Sequence, residues 1–334
     1  MDIDEPRNQT QQAFADIAPD GDCMLVVGPD TVKFRVHSLF LRTASKPFSA
    51  MFTPEWKEGE ALLSQSGPIE ILLPEDDATH MRLLCAIIHN KNEEVPANLS
   101  AHNVLGVAIA ADKYDCVQAV KFASANWLRG HHDETSDLVA FAAAAYLLWN
   151  ENAFKEITKR MILTHNGPYY NLCSAEVGSV MDWRVFCRCF KKEYYVLLAK
   201  KRQGMLEEAR GLTRLKLANI LIKGADDPTG SCVHKCGWSS KYAFAYLQEL
   251  EIRDLWPMDL ARLSISSAIE KVSNMPDPVP TESSASCTYG YKHCMPEYRR
   301  HRQWGLENLD KNVGLCLRCI RNEGGEALHC QHMQ

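Results

Sequence analysis

The chain has 334 residues, 46% of them apolar and 24% charged, the balance of an ordinary folded protein rather than of a mainly disordered one. Its formal net charge of -5 gives no reason for broad nucleic-acid affinity, and its longest apolar run, Leu138 to Trp149, is too short to cross a bilayer. The length suits two or three domains.

Residues 1–19 open on an acidic, polar stretch with little β-propensity and are expected to be a flexible amino terminus. This stretch has neither the basic region nor the apolar core of a secretory signal, so the thirteen cysteines are expected to stay reduced, in the cytoplasm or nucleus. Asp22 to Val27 is an apolar, β-branched run, Gly28-Pro29-Asp30 is turn chemistry, and Thr31 to Val36 alternates polar and apolar: a β-hairpin. His37 then opens a helical segment with Leu39, Phe40 and Leu41 apolar. Ser45 is placed to cap a second short helix, in which Pro47 sits early and Phe48, Met51 and Phe52 share a face. Ile69 to Leu73 reads as a third strand, and Asp76 to His89 as a helix with Met81, Leu84, Cys85 and Ile88 at helical spacing. Ser100 to Ala111 and Tyr114 to Trp127 read as a closing helical pair.

This order of elements resembles the BTB/POZ domain over residues 20–128. The resemblance implies an α+β fold, a small sheet with helical hairpins, and a homodimer formed through the first hairpin, with Leu39 and Phe40 at the contact. Trp56-Lys57-Glu58 resembles the hydrophobic-x-Glu element through which BTB adaptors contact a cullin, which makes Trp56 and Glu58 candidate partner-binding residues; an exposed loop is the other reading. Asp22 stands where repressor-type BTB domains bury the acid of a charged pocket, but the position of its basic partner holds Ser38. The acid must then find another partner or face solvent, because an unpaired buried charge is costly.

Residues 135–224 read as a helical region, in a position similar to the helices that follow BTB domains in substrate adaptors. Asp137 to Arg160 is periodic, with Leu138, Phe141, Ala145, Leu148 and Trp149 placed for one buried face of a core helix. Asn166-Gly167-Pro168 breaks the pattern; Val180 to Phe190, Tyr194 to Lys200 and Met205 to Leu221 resume it. In the last of these, Leu206, Ala209, Leu212, Leu215 and Leu217 read as a core stripe, with a dimerising stripe as the other reading. Cys23, Cys85 and Cys116 lie on apolar faces, and Cys173, Cys187 and Cys189 show no ligand pattern; all six read as small core residues.

Residues 228–334 form a Cys/His-rich region with seven cysteines and five histidines from Cys232 onward. Thiolate and imidazole suit zinc, and Cys316-Leu317-Arg318-Cys319 places two sulfurs within reach of one ion. One expected structural zinc site joins Cys232 and Cys236 to Cys316 and Cys319; Cys287, Cys294, Cys330 and His332 form a second set. Free thiols are the other reading. Several filamentous-fungal BTB proteins are similar here, in Cys236-Gly237-Trp238, Leu255-Trp256-Pro257 and the Gly314 to Cys319 element. Asn274 to Ser286, rich in Pro and Ser, reads as an internal loop at 274–286.

No phosphate-cradling glycine loop, nucleophile elbow or zincin motif is present, so no catalytic residue is assigned. The expected function is a non-enzymatic protein-protein interaction protein, an adaptor holding an unidentified client near a cullin-RING ubiquitin ligase. The alternative is a BTB-type transcriptional regulator with a structural zinc module.

Overall fold

Strand β1 (Cys23–Val27) pairs antiparallel with β2 (Val32–Val36) and parallel with β3 (Ile69–Leu73), in the order β2-β1-β3. The computed structural model describes residues 16–64, 67–129, 135–172, 175–181, 204–225, 238–279 and 298–321. The register sets Leu25 opposite Phe34 on one side and Ile71 on the other, and all three are buried. With Cys23, Val27, Val36, Ile69 and Leu73 they make one apolar face, as the two-residue period requires. On the other face Lys33 and Glu70 reach across β1 to within 2.6 Å, in water. The hairpin turn needs Gly28 at φ 75°, and its amide bonds back to Leu73 (2.9 Å), so the turn also secures β3. Ahead of β1, Ala18 N donates to Arg35 O (3.0 Å) and Arg35 N to Asp16 Oδ1 (2.9 Å), so Asp16 to Gly21 run beside β2.

The helices of this part follow in order: α1 (Ser38–Ala44), α2 (Lys46–Met51), α3 (Lys57–Ser64), α4 (Ala78–Ile88), α5 (Ala101–Lys113) and α6 (Lys121–Trp127). Ser45, Asp77 and Ser100 cap α2, α4 and α5, each side chain accepting an amide from the first turn. Residues 114–120, expected as helix, form turns instead, with Asp115 left-handed at φ 51°. Phe48 is fully buried and stacks on Tyr114 with centroids 4.6 Å apart; burial of such a ring stabilises by roughly 1.5–3 kcal/mol. Tyr114 in turn donates its hydroxyl to Asp76 (2.7 Å), whose carboxylate also takes both contacts from Lys113 Nζ (2.9 Å each).

Helix α7 (Thr135–Leu147) packs along α5 and is apolar on nearly every side: Leu138, Val139, Phe141 and Ala142 to Ala145 are all buried. The single helix expected over Asp137 to Arg160 is in fact two, α7 and α8 (Glu151–Thr164). Trp149 turns left-handed at φ 55° and is 53% exposed instead of lying on the core face, while Asn150 Oδ1 accepts Ala153 N (3.1 Å) and restarts the helix. The chain divides into two units, Met1–Ala153 and Phe154–Gln334.

The second unit continues with α9 (Ala175–Val180), α10 (Met205–Ala225), α11 (Trp238–Ile252), α12 (Pro257–Leu260), α13 (Ile265–Asn274), α14 (Tyr298–Lys311) and α15 (Leu317–Arg321). The helices expected beyond Met181 and before Gly204 lie outside the described residues. Helix α10 is the hub, meeting α11, α12, α13 and α14. It buries Leu206, Ala209, Leu217 and Leu221, whereas Leu215 is exposed, so the leucines serve two sides of the helix. Arg210 on α10 donates to Gly167 O (2.7 Å) and lies over the buried Tyr169 ring (4.7 Å), and Arg214 donates to Asn166 Oδ1 (3.2 Å). The Asn166-Gly167-Pro168 break is thus clamped by two guanidinium groups. No helix among the described residues is long and apolar enough to cross a membrane.

Candidate interaction surface

Seven residues make α1, too few for stability from propensity alone, so its placement comes from its neighbours. Ser38 and Leu41 point inward, while Leu39 and Phe40 stand adjacent and outward, 68% and 43% exposed. Two large apolar side chains side by side on water are a candidate contact patch, on the residues that the sequence singles out.

The inward side is held by hydrogen bonds. Asp22 accepts both from Ser38: the amide at 2.7 Å and the hydroxyl at 2.6 Å. The missing basic partner of Asp22 is therefore replaced by a serine that offers two donors. Burial pushes the Asp22 carboxyl up, but the Ser38 hydroxyl and amide pull it further down, and the net value lies below the ordinary one. One residue earlier, His37 N donates to His89 Nε2 (2.9 Å), and His89 Nδ1 meets Cys85 O (2.8 Å). Phe40 leans on His89 with ring centroids 5.0 Å apart, so the outward patch and the buried support share a ring. Burial holds His89 below its ordinary value. Sequence reading missed His89 as a support because its partner lies 52 positions away and no local spacing marks such a pair.

Trp56 and Glu58 fall together at the start of α3. Trp56 is 60% exposed and accepts the first helical bond of α3 from Glu60 N (2.9 Å), while Glu58 lies in the first turn. An acid there suits the helix dipole. Trp56 itself is an exposed bend residue just ahead of α3, and Lys57 and Glu58 open the helix.

Among the metal candidates, Cys316 and Cys319 are buried on either side of the start of α15. Cys316 immediately precedes α15 and Cys319 lies within it, three positions on. The preceding turn is anchored on α8: Gly314 adopts φ 119° against Lys155 O, and Leu315 N donates to the buried Thr158 Oγ1 (3.0 Å). Cys232, Cys236, Cys287, Cys294, Cys330 and His332 lie outside the described residues, as do Cys173, Cys187 and Cys189. Among the described residues, no group of three or more His, Cys, Asp or Glu side chains is arranged to hold a metal ion. Cys23, Cys85 and Cys116 are fully buried in the first unit.

Residues 19–126 match the BTB/POZ domain family, a family of protein-interaction domains that mediate homo-oligomerisation and binding to partners such as cullins. No curated protein and no solved structure matches the chain.

Proposed function

We propose, from the BTB/POZ domain at residues 19–126, that the chain is a non-enzymatic adaptor that self-associates through α1 and presents α3 to a cullin scaffold. The observation that carries the first half is the outward pair Leu39 and Phe40 on a helix fixed from behind by Asp22 and His89. A rigid apolar patch loses little on ordering when it binds, which favours a second copy of the same surface around a two-fold axis. Sedimentation equilibrium of the full chain at tens of micromolar tests this. A dimer is expected for the wild type and a monomer for Leu39→Asp with Phe40→Asp; a wild type that stays monomeric over that range refutes the reading.

The cullin half rests on Trp56 and Glu58, an exposed aromatic anchor beside an acid at one helix start. Such an adaptor accelerates ubiquitin transfer by proximity, raising the effective concentration of a client near a separately supplied ligase, and needs no catalytic group of its own. Trp56→Ala with Glu58→Ala should leave the mass unchanged and cut cullin recovery in a pull-down by about tenfold. Equal recovery removes the cullin from the proposal. A transcriptional regulator gains less support, since the acid of the repressor-type pocket is occupied by Ser38. For the carboxy-terminal residues we propose a structural zinc ion that takes two thiolates from Cys316 and Cys319; their C-x2-C spacing and burial suit it.

A further inference from the structure

The first amides of any helix lack partners within the helix, and at α1 the N-cap His37 supplies none from its own side chain. The gap is filled from the end of α4. His37 N donates to His89 Nε2, and His89 Nδ1 faces the carbonyl of Cys85, which can only accept. Nδ1 therefore carries the proton and Nε2 offers its lone pair: the two bonds together demand one neutral tautomer. A second proton, on Nε2, would point at the His37 amide, setting donor against donor and leaving that amide without a partner.

Among the described residues, the surroundings offer this second proton no acceptor. From α1 come the His37 ring, stacked on His89 at 6.1 Å, and Phe40 at 5.0 Å. From α4 comes Cys85, whose thiol burial keeps protonated and uncharged. Lys91, just past α4, adds positive charge, as does His37 when protonated. The acids of this corner are engaged one step away, Asp20 3.4 Å from His37 Nε2 and Asp22 on Ser38.

We propose that His89 is a proton-operated catch on α1: neutral, it holds the helix end that presents Leu39 and Phe40, and protonated it releases that end, so self-association weakens in acid. The proposal rests on α1 being the self-association surface. Its direction follows from the form required: a group needed neutral in the folded state gives its full contribution above the ordinary histidine value, about 6.5. That contribution is lost as pH falls through the lower value that burial imposes.

The test is sedimentation equilibrium of the full chain at pH 7.5 and 5.5 and fixed ionic strength, with His89→Gln beside the wild type. Glutamine can place an oxygen near Nε2 to accept the His37 amide and does not titrate. The wild-type dissociation constant should rise about fivefold or more in acid, the low end of couplings between linked sites, while that of His89→Gln stays level. An equal rise in both, or none in either, overturns the catch. In parallel, NMR of the wild type should show the His89 ring titrating below the ordinary histidine value, with the His37 amide signal moving at the same midpoint. An amide unmoved across that titration overturns the catch even if His89→Gln fails to fold. A chain monomeric at both pH values with the amide moving as expected would overturn the self-association reading and keep the catch on α1.

Discussion

Replacing Tyr114 by phenylalanine removes one oxygen from the centre of the first unit and leaves everything else in place. The ring keeps its stack on Phe48, at 4.6 Å and nearly parallel, so the packing term cancels. What is lost is the 2.7 Å bond from the hydroxyl to Asp76, a carboxylate that is itself buried. Hydrogen bonds to a charged group contribute about 1.5–3 kcal/mol, and here the deleted donor leaves its acceptor out of water. Lys113 still pairs with Asp76 but is partly exposed, and its pairing is screened. Native-state hydrogen exchange of the Leu25 and Val27 amides in β1 reads the effect within this unit, whatever the second unit does. Exchange should quicken by about tenfold to about a hundredfold. A change under about twofold would refute the reasoning, because it would mean that Lys113 alone satisfies Asp76.

Gly106→Ala would drive a Cβ into the His80 ring, which Asp77 (3.1 Å) and Asn103 (3.3 Å) hold; a loss of about 1–3 kcal/mol is expected by thermal unfolding, recovered in part by adding His80→Ala. Burial, with the nearby Asp22 charge, pushes the Cys23 thiol up to about 12, and burial pushes Cys116 up to about 11, from an ordinary 9.0. The folded state then keeps protons that the unfolded chain releases, so the urea midpoint should fall as pH rises beyond about 9; a midpoint level to pH 10.5 counts against it. Cys316→Ser with Cys319→Ser should lower zinc content, measured by elemental analysis, and expose the carboxy-terminal residues to protease while the first unit resists. A wild type prepared metal-replete and carrying less than about a tenth of an equivalent would leave these cysteines as ordinary thiols.

The first unit was legible where its signals are local. The strand at Ile69–Leu73 coincides with the reading, and Ser45 and Pro47 open α2 as their chemistry requires. Helix interruption was less legible. Across Leu148 to Asn150 the apolar spacing runs on without a glycine or proline, so periodicity joined α7 to α8; the signal that could have divided them is Asn150, a good cap residue. The turn over residues 114–120 is hidden in the same way, with Asp115 taking a left-handed conformation that glycine usually marks. For the candidate surface, the resemblance singled out Leu39, Phe40 and Trp56 as partner contacts, whereas the support under α1 depends on contacts between distant segments. The clamp of Arg210 and Arg214 on the 166–168 break gave no signal either: Glu207 stands at readable spacing from Arg210, but the clamp itself uses the Gly167 carbonyl and the Asn166 amide, in a segment distant in sequence.

The strand order matters while the chain is being made. β1 meets β2 across a short turn as soon as Val36 leaves the ribosome, but its other edge waits for Ile69–Leu73, which follows three helices. During that interval the nascent hairpin carries Leu25 and Val27 beside a row of unpaired amides and carbonyls, a template on which neighbouring nascent chains can add a strand. The pairing of β3, secured by the bond from Gly28 N to Leu73 O, covers that edge, so the exposure of β1 on a polysome lasts until β3 emerges.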